Sequence, residues 1–119
     1  MKRDLELIRQ MVLAIEDAPG WAPRELTIDG YTCEEIRYHA YLLIDARLAE
    51  GFDTTNLGSP APEAMIRNLT WAGHEFAEAA RDESRWKKAM GIVGEKGGSI
   101  TLDILTQLLG SLMRGAFGL

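Results

Sequence analysis

Leu5, Ile8, Val12 and Ile15 recur at three- and four-residue spacing, with Met11 widening the stripe, and predict a helix over residues 3–17. Asp4 stands at its positive N-terminal end. Ala18-Pro19-Gly20 stops it, because proline disfavours a helical residue before it. A second helix is predicted over residues 32–47. Thr32-Cys33-Glu34-Glu35 has the pattern in which Thr32 and Glu35 bond reciprocally to each other's backbone amides. Ile36, Ala40 and Leu43 form its apolar line, with Ile44 beside it. Glu34, Tyr38, Tyr41 and Asp45 fall on the opposite face, and Arg37 lies between the two. Between the helices, Pro19, Gly20, Pro23 and Gly30 break any long element. Leu26-Thr27-Ile28 is expected to form a short strand, and Trp21 to pack on the first helix.

Residues 48–52 leave the second helix as a strand, and residues 64–69 return as its partner. The stretch between them holds Thr54, Thr55, Asn56, Gly58, Ser59, Pro60 and Pro62, so a hairpin with a long loop at its tip is expected. Thr70 is placed to cap a helix over residues 71–81, with Phe76 and Ala80 on one side. Asp82 is placed to cap its continuation through Arg85, Trp86, Ala89 and Met90. Gly91, Gly94, Gly97 and Gly98 loosen the chain, and Ser99 is expected to cap the last helix. That helix carries Leu102, Leu105, Leu109, Leu112 and Ala116, widened by Ile104, Leu108 and Met113 to more than half its circumference. A lone surface helix does not need that width. It is expected either to be sandwiched in the core or to be shared with a second copy of the chain.

The order helix, short strand, helix, hairpin, helix is that of winged-helix domains, with the helix before the capped one in doubt. The expected fold class is mainly α with a small antiparallel sheet (α+β), a winged-helix (winged helix-turn-helix-like) domain over residues 1–119. Its extra C-terminal apolar helix, within residues 99–118, is the expected dimerising element. Three runs carry a further likeness. Met1-Lys2-Arg3-Asp4-Leu5-Glu6-Leu7-Ile8-Arg9 is one. Glu35-Ile36, Tyr38-His39, Leu42-Leu43 and Ala46 make the second. Leu69-Thr70-Trp71, Gly73-His74 and Phe76, with Arg81-Asp82 and Trp86, make the third. Together, over residues 1 to about 90, they resemble the signatures of the domain-of-unknown-function family 2513 (DUF2513), small bacterial and phage proteins. The resemblance implies a winged-helix-like fold and a bacterial or prophage setting; it transfers no activity and no functional residues. Arg47 departs from the pattern, which leads one to expect the glycine of a left-handed helix C-cap after Ala46.

Composition narrows the setting. A chain of 119 residues that is 46% hydrophobic is long enough for one domain with a real core and is not a disordered polymer. The single cysteine, Cys33, cannot close an internal disulfide, which points to a reducing cytoplasm. Asp4, Glu6 and Arg9 interrupt any apolar stretch behind Met1-Lys2-Arg3, so no signal peptide is expected. No apolar run reaches the ~18 residues of a membrane span. A net charge of −5 weighs against binding to nucleic acid and to anionic membranes.

Candidate chemistry is sparse. Cys33, His39 and His74 lack the close ligand pairs of zinc sites. His74-Glu75 starts like a metalloprotease helix, but Glu78 stands where the second histidine belongs. His39 is expected to pack at its helix edge and His74 to cap or bond near Thr70. Residues 94–99 are glycine-rich before a helix but lack the lysine directly before Ser99 that a phosphate loop needs. No serine or cysteine nucleophile pairs recognisably with a histidine and an orienting acid. No catalytic, cofactor-binding or metal-binding residue is therefore expected. Arg81, Arg85, Lys87 and Lys88, diluted by Asp82 and Glu83, read as a solvated helix face.

The candidate contacts with DNA or a protein partner are Arg37, Tyr38 and Tyr41 on the second helix and Arg67 on the hairpin. Over residues 32–50, Arg37 and Arg47 stand against Glu34, Glu35, Asp45 and Glu50, a net of −2; over residues 51–69, Arg67 stands against Asp53 and Glu63, a net of −1. Such a surface is costly beside phosphates. The expected function is a non-enzymatic interaction or regulatory module contacting a protein partner or itself, as a homodimer through the C-terminal helix. The alternative is a DNA-binding transcriptional regulator, with Arg37, Tyr38 and Tyr41 in the major groove and Arg67 on the backbone.

Overall fold

The structure, a computed structural model, describes residues 1–23 and 25–119. Its elements run α1 (Leu5–Asp17), α2 (Cys33–Asp45), β1 (Ala49–Asp53), β2 (Ala64–Leu69), α3 (Trp71–Arg81), α4 (Glu83–Glu95) and α5 (Leu102–Ala116). They fall into two compact units, Met1–Ala77 and Glu78–Leu119.

Helix starts follow side-chain capping. Asp4 accepts from the amide of Leu7 at 3.1 Å, opening α1. Thr32 and Glu35 make both bonds of the reciprocal cap on α2, at 2.9 and 3.1 Å. Thr70 Oγ1 accepts from Gly73 at 3.0 Å and donates to the Arg47 carbonyl at 2.8 Å, so one hydroxyl caps α3 and ties it to the end of α2. Asp82 caps α4 through Arg85 at 2.7 Å. The expected cap at Ser99 is not the one used: Thr101 accepts from Ile104 and opens α5 two residues later.

Three helices stop in one way. After α2, the amide of Arg47 bonds to Ile44 and that of Leu48 to Leu43, both at 2.9 Å. After α4, Gly97 bonds to Gly94 and Gly98 to Val93; after α5, Gly118 bonds to Gly115 and Leu119 to Arg114. The pattern satisfies the last carbonyls of each helix and needs a left-handed residue. Gly97 and Gly118 take it at φ +103° and +73°, and Arg47 takes it at +64°. Arginine thus occupies the conformation for which glycine was expected.

In the first unit the hairpin lies against α2. Ala49 pairs with Leu69, Glu50 with Asn68, Gly51 with Ile66, Phe52 with Met65 and Asp53 with Ala64, so Arg67 is an unpaired bulge residue. A Cβ on Gly51 would run into the Met65 carbonyl and crowd Ile44. The bulge is therefore accommodated by a glycine at the point of closest approach. Ala49, Ala64, Ile66 and Leu69 are buried on one face, while Glu50, Phe52, Met65 and Arg67 are exposed on the other. Leu7, Met11, Leu43 and Phe76 are almost fully enclosed. In the second unit α4 and α5 pack on each other, burying Trp86, Ala89, Val93, Leu105 and Leu109.

Three expectations are corrected here. Residues 26–28 form no strand, and the described residues between Ala18 and Thr32 form no helix. Among the described residues one backbone bond, the Ala22 amide to the Arg67 carbonyl at 2.9 Å, holds this segment to β2. That bond draws Trp21 over the hairpin and away from α1, leaving it 70% exposed. Trp71, which with Phe76 and Trp86 is expected in the core rather than in a ligand cage, is 82% exposed. Gly73, against Leu48, and Phe76 fix which side of α3 faces inward. Two residues before Gly73 is the far side of a helix. Phe76 and Trp86 are buried as expected.

Candidate functional site

The outward face of α2 presents Arg37, exposed, with Tyr38 and Tyr41 half-buried beside it. Arg37 is not free: its guanidinium donates to Glu25 at 3.2 Å. That hydrogen bond, then the Glu25 charge, holds its pKa above the ordinary arginine value.

The Tyr38 ring stands edge-on to His39, with centroids 5.6 Å apart. His39 is 2% exposed, so it belongs to the core and not to the helix edge. Its Nε2 accepts the Asp4 amide at 2.8 Å, and its Nδ1 lies 2.8 Å from the Glu35 carbonyl. A carbonyl only accepts, so these partners assign the neutral Nδ1–H tautomer. Both nitrogens are occupied, which leaves none for a metal or a substrate. The network extends to Tyr31, whose hydroxyl donates to Asp4 Oδ2 at 3.2 Å. Burial, and then the Asp4 carboxylate, raises the Tyr31 pKa above its usual value. His74 bonds Thr70 through its backbone, the amide donating to the Thr70 carbonyl at 3.0 Å. Its ring turns elsewhere: Nδ1 bonds Glu16 Oε2 on α1 at 2.9 Å, and among the described residues the ring makes no bond to Thr70. Among the described residues no group of three histidine, cysteine or acidic side chains is arranged to hold a metal ion.

The fourth expected contact, Arg67, sits on the hairpin as expected, at a bulge that the sequence does not mark. The bulge turns its side chain onto the outer face of the hairpin. There the guanidinium carbon lies 5.6 Å from the centre of the Trp21 ring and 6.0 Å from that of Phe52. Such cation–ring contacts favour the charged arginine over the ring faces. Arg67 Nε bonds Asn68 at 3.1 Å, Asn68 bonds Glu50 at 3.0 Å, and Arg67 Nη2 reaches Glu50 only at 3.9 Å. Trp21, Ala22, Phe52, Met65, Ile66 and Arg67 line an open hollow of about 270 Å³.

A second hollow of about 260 Å³ lies between the N-terminal half of α2 and the hairpin, walled by Ile36, Ala40 and Ile66 and rimmed by Arg37, Glu25 and Glu63. Met65 and Ile66 line both hollows. The two arginines are thus brought to neighbouring sites, while Tyr38 and Tyr41 line neither. Sequence reasoning missed Trp21 and Phe52. The alternation of Glu50 and Phe52 about Gly51 marks Phe52 as facing away from α2; nothing local marks Trp21, which is placed by a backbone bond to a bulge.

Capped helices, a bulged two-stranded hairpin and an exposed aromatic–arginine surface define a small, mainly helical α+β protein. The chain belongs to the family described as "Hypothetical protein (DUF2513)", whose model matches residues 2–99; α5 lies beyond the match. A relative from Haemophilus influenzae, named "Uncharacterized protein", is 32% identical over 111 residues, which are 91% of this chain and 92% of the relative. No solved structure matches the chain significantly. Among the described residues no helix is long and apolar enough to cross a membrane.

Proposed function

We propose that this is a non-enzymatic interaction or regulatory module of a bacterium or phage, built on a winged-helix-like scaffold and working through protein contacts. In this reading α2 stands in the place of the recognition helix and the β1–β2 hairpin is the wing. One observation carries it: both arginines that would meet phosphate already face carboxylates. Arg37 is bound to Glu25 at 3.2 Å and Arg67 faces Glu50 at 3.9 Å, in a chain of net charge −5. Freeing Arg37 costs part of what a phosphate contact would return, and the Glu50 carboxylate beside Arg67 repels a phosphate brought to it. Trp21, Phe52 and Arg67 are instead the residue types enriched at protein interfaces. Self-association through α5 is supported by Ile104, 53% exposed, with Leu108, Leu112 and Met113 half-buried beside it.

The alternative, a DNA-binding transcriptional regulator, draws support from the placement of Arg37, Tyr38 and Tyr41 along the outward side of a capped helix next to a hairpin. Fluorescence anisotropy with a labelled random-sequence duplex in 50 mM salt separates the two. Protein contact as the function predicts no binding at about 10 µM protein, where non-specific DNA binders already associate. Saturable binding that weakens steeply with salt would replace it with the DNA reading.

A further inference from the structure

We propose that the outer face of the hairpin docks a second copy of this chain about a two-fold axis, Arg67 of each copy meeting Glu50 of the other. The proposal rests on the interaction-module reading and names one contact surface for it. A two-fold contact uses the same patch twice, so the patch must contain its own complement. This face does. Trp21, Phe52 and Met65 are exposed apolar groups on it, and the same face carries one cation, Arg67, and one anion, Glu50.

Within the chain that cation and anion are poorly matched. Their separation of 3.9 Å is too long for a hydrogen bond, and among the described residues the terminal nitrogens of Arg67 make no hydrogen bond. Each keeps capacity for an opposite charge across an interface. The Trp21 and Phe52 rings, 5.6 and 6.0 Å from the guanidinium carbon, limit the side-chain freedom that is lost when it engages. A hairpin face with strands of five and six residues is small, at the low end of specific interfaces. A dissociation constant of tens of micromolar, roughly, is expected.

Sedimentation equilibrium of the full chain from about 5 to 500 µM reads the association directly. The wild type should dimerise in this range, and Arg67→Glu and Glu50→Arg should each weaken the dimer about tenfold or more by juxtaposing like charges. An equimolar mixture of the two variants should regain the wild-type affinity, because both crossed pairs are then opposite in sign. Both positions are exposed, and circular dichroism checks that each variant folds. A chain that stays monomeric to 500 µM overturns the proposal, as does a dimer indifferent to either variant or a mixture that regains nothing. If Ile104→Glu abolishes a dimer that the hairpin variants leave intact, the hairpin proposal fails while the interaction-module reading stands through α5.

Discussion

Replacing Arg47 by glycine should stabilise this protein, although it removes a whole charged side chain. Arg47 holds φ at +64°, and its amide and that of Leu48 close the end of α2 on Ile44 and Leu43. A residue with a Cβ in this region sits about 1–2 kcal/mol above its right-handed alternatives. Glycine removes that strain but gives back about 0.5–1 kcal/mol through the greater freedom of the unfolded chain. The arginine side chain is exposed and makes no hydrogen bond or ion pair among the described residues, while the Arg47 carbonyl that accepts from Thr70 is kept in Arg47→Gly. The net gain is about 0.5–1 kcal/mol, or about 2–6 °C in Tm for a chain of this size. Urea unfolding followed by far-ultraviolet circular dichroism measures it, with a higher midpoint and an unchanged slope expected. Gly98→Ala, at φ +77°, should move the midpoint the other way. If Arg47→Gly lowers the midpoint or leaves it where it is, the left-handed cap is not a source of strain.

His39→Phe should destabilise by about 1–3 kcal/mol in the same assay, because it leaves the part-buried Asp4 amide without its acceptor; His39→Gln, which can accept that amide, should recover part of the loss. Asp53 should titrate below the usual carboxylate value, because the Thr55 side chain and amide bond its ionised form. A folded pKa below the unfolded one contributes stability above the unfolded value and loses it as pH falls through the folded one. Carboxyl-carbon NMR between pH 2 and 6 checks the midpoint, and a value at or above 3.8 would contradict the bond.

Local signals were legible where one residue decides the outcome. The reciprocal Thr32–Glu35 cap, the Thr70 and Asp82 caps, the two strands and the loop between them are where side-chain type and spacing place them. The candidate surface was only half legible. Arg37 and Arg67 stood out as cations on a plausible face, but Glu25 and Glu50, which engage them, lie 12 and 17 residues away in the chain. Trp21 could not be placed from its neighbours, because its position depends on Ala22 reaching a carbonyl that only the Arg67 bulge exposes. Leu26-Thr27-Ile28 alternates like a strand, yet residues 26–28 form no ladder. His39 looked peripheral because its partner amide, at Asp4, comes from another helix start.

The preorganised hairpin face is the claim on which the functional account turns, and the side-chain proton shifts of Arg67 test it most directly. A guanidinium carbon 5.6 Å from the Trp21 ring centre and 6.0 Å from that of Phe52 places the guanidinium protons of Arg67 within reach of both ring currents. The account predicts an Arg67 Hε resonance shifted upfield in the wild type and relaxing toward its random-coil position in Trp21→Ala. Random-coil shifts in the wild type would contradict it.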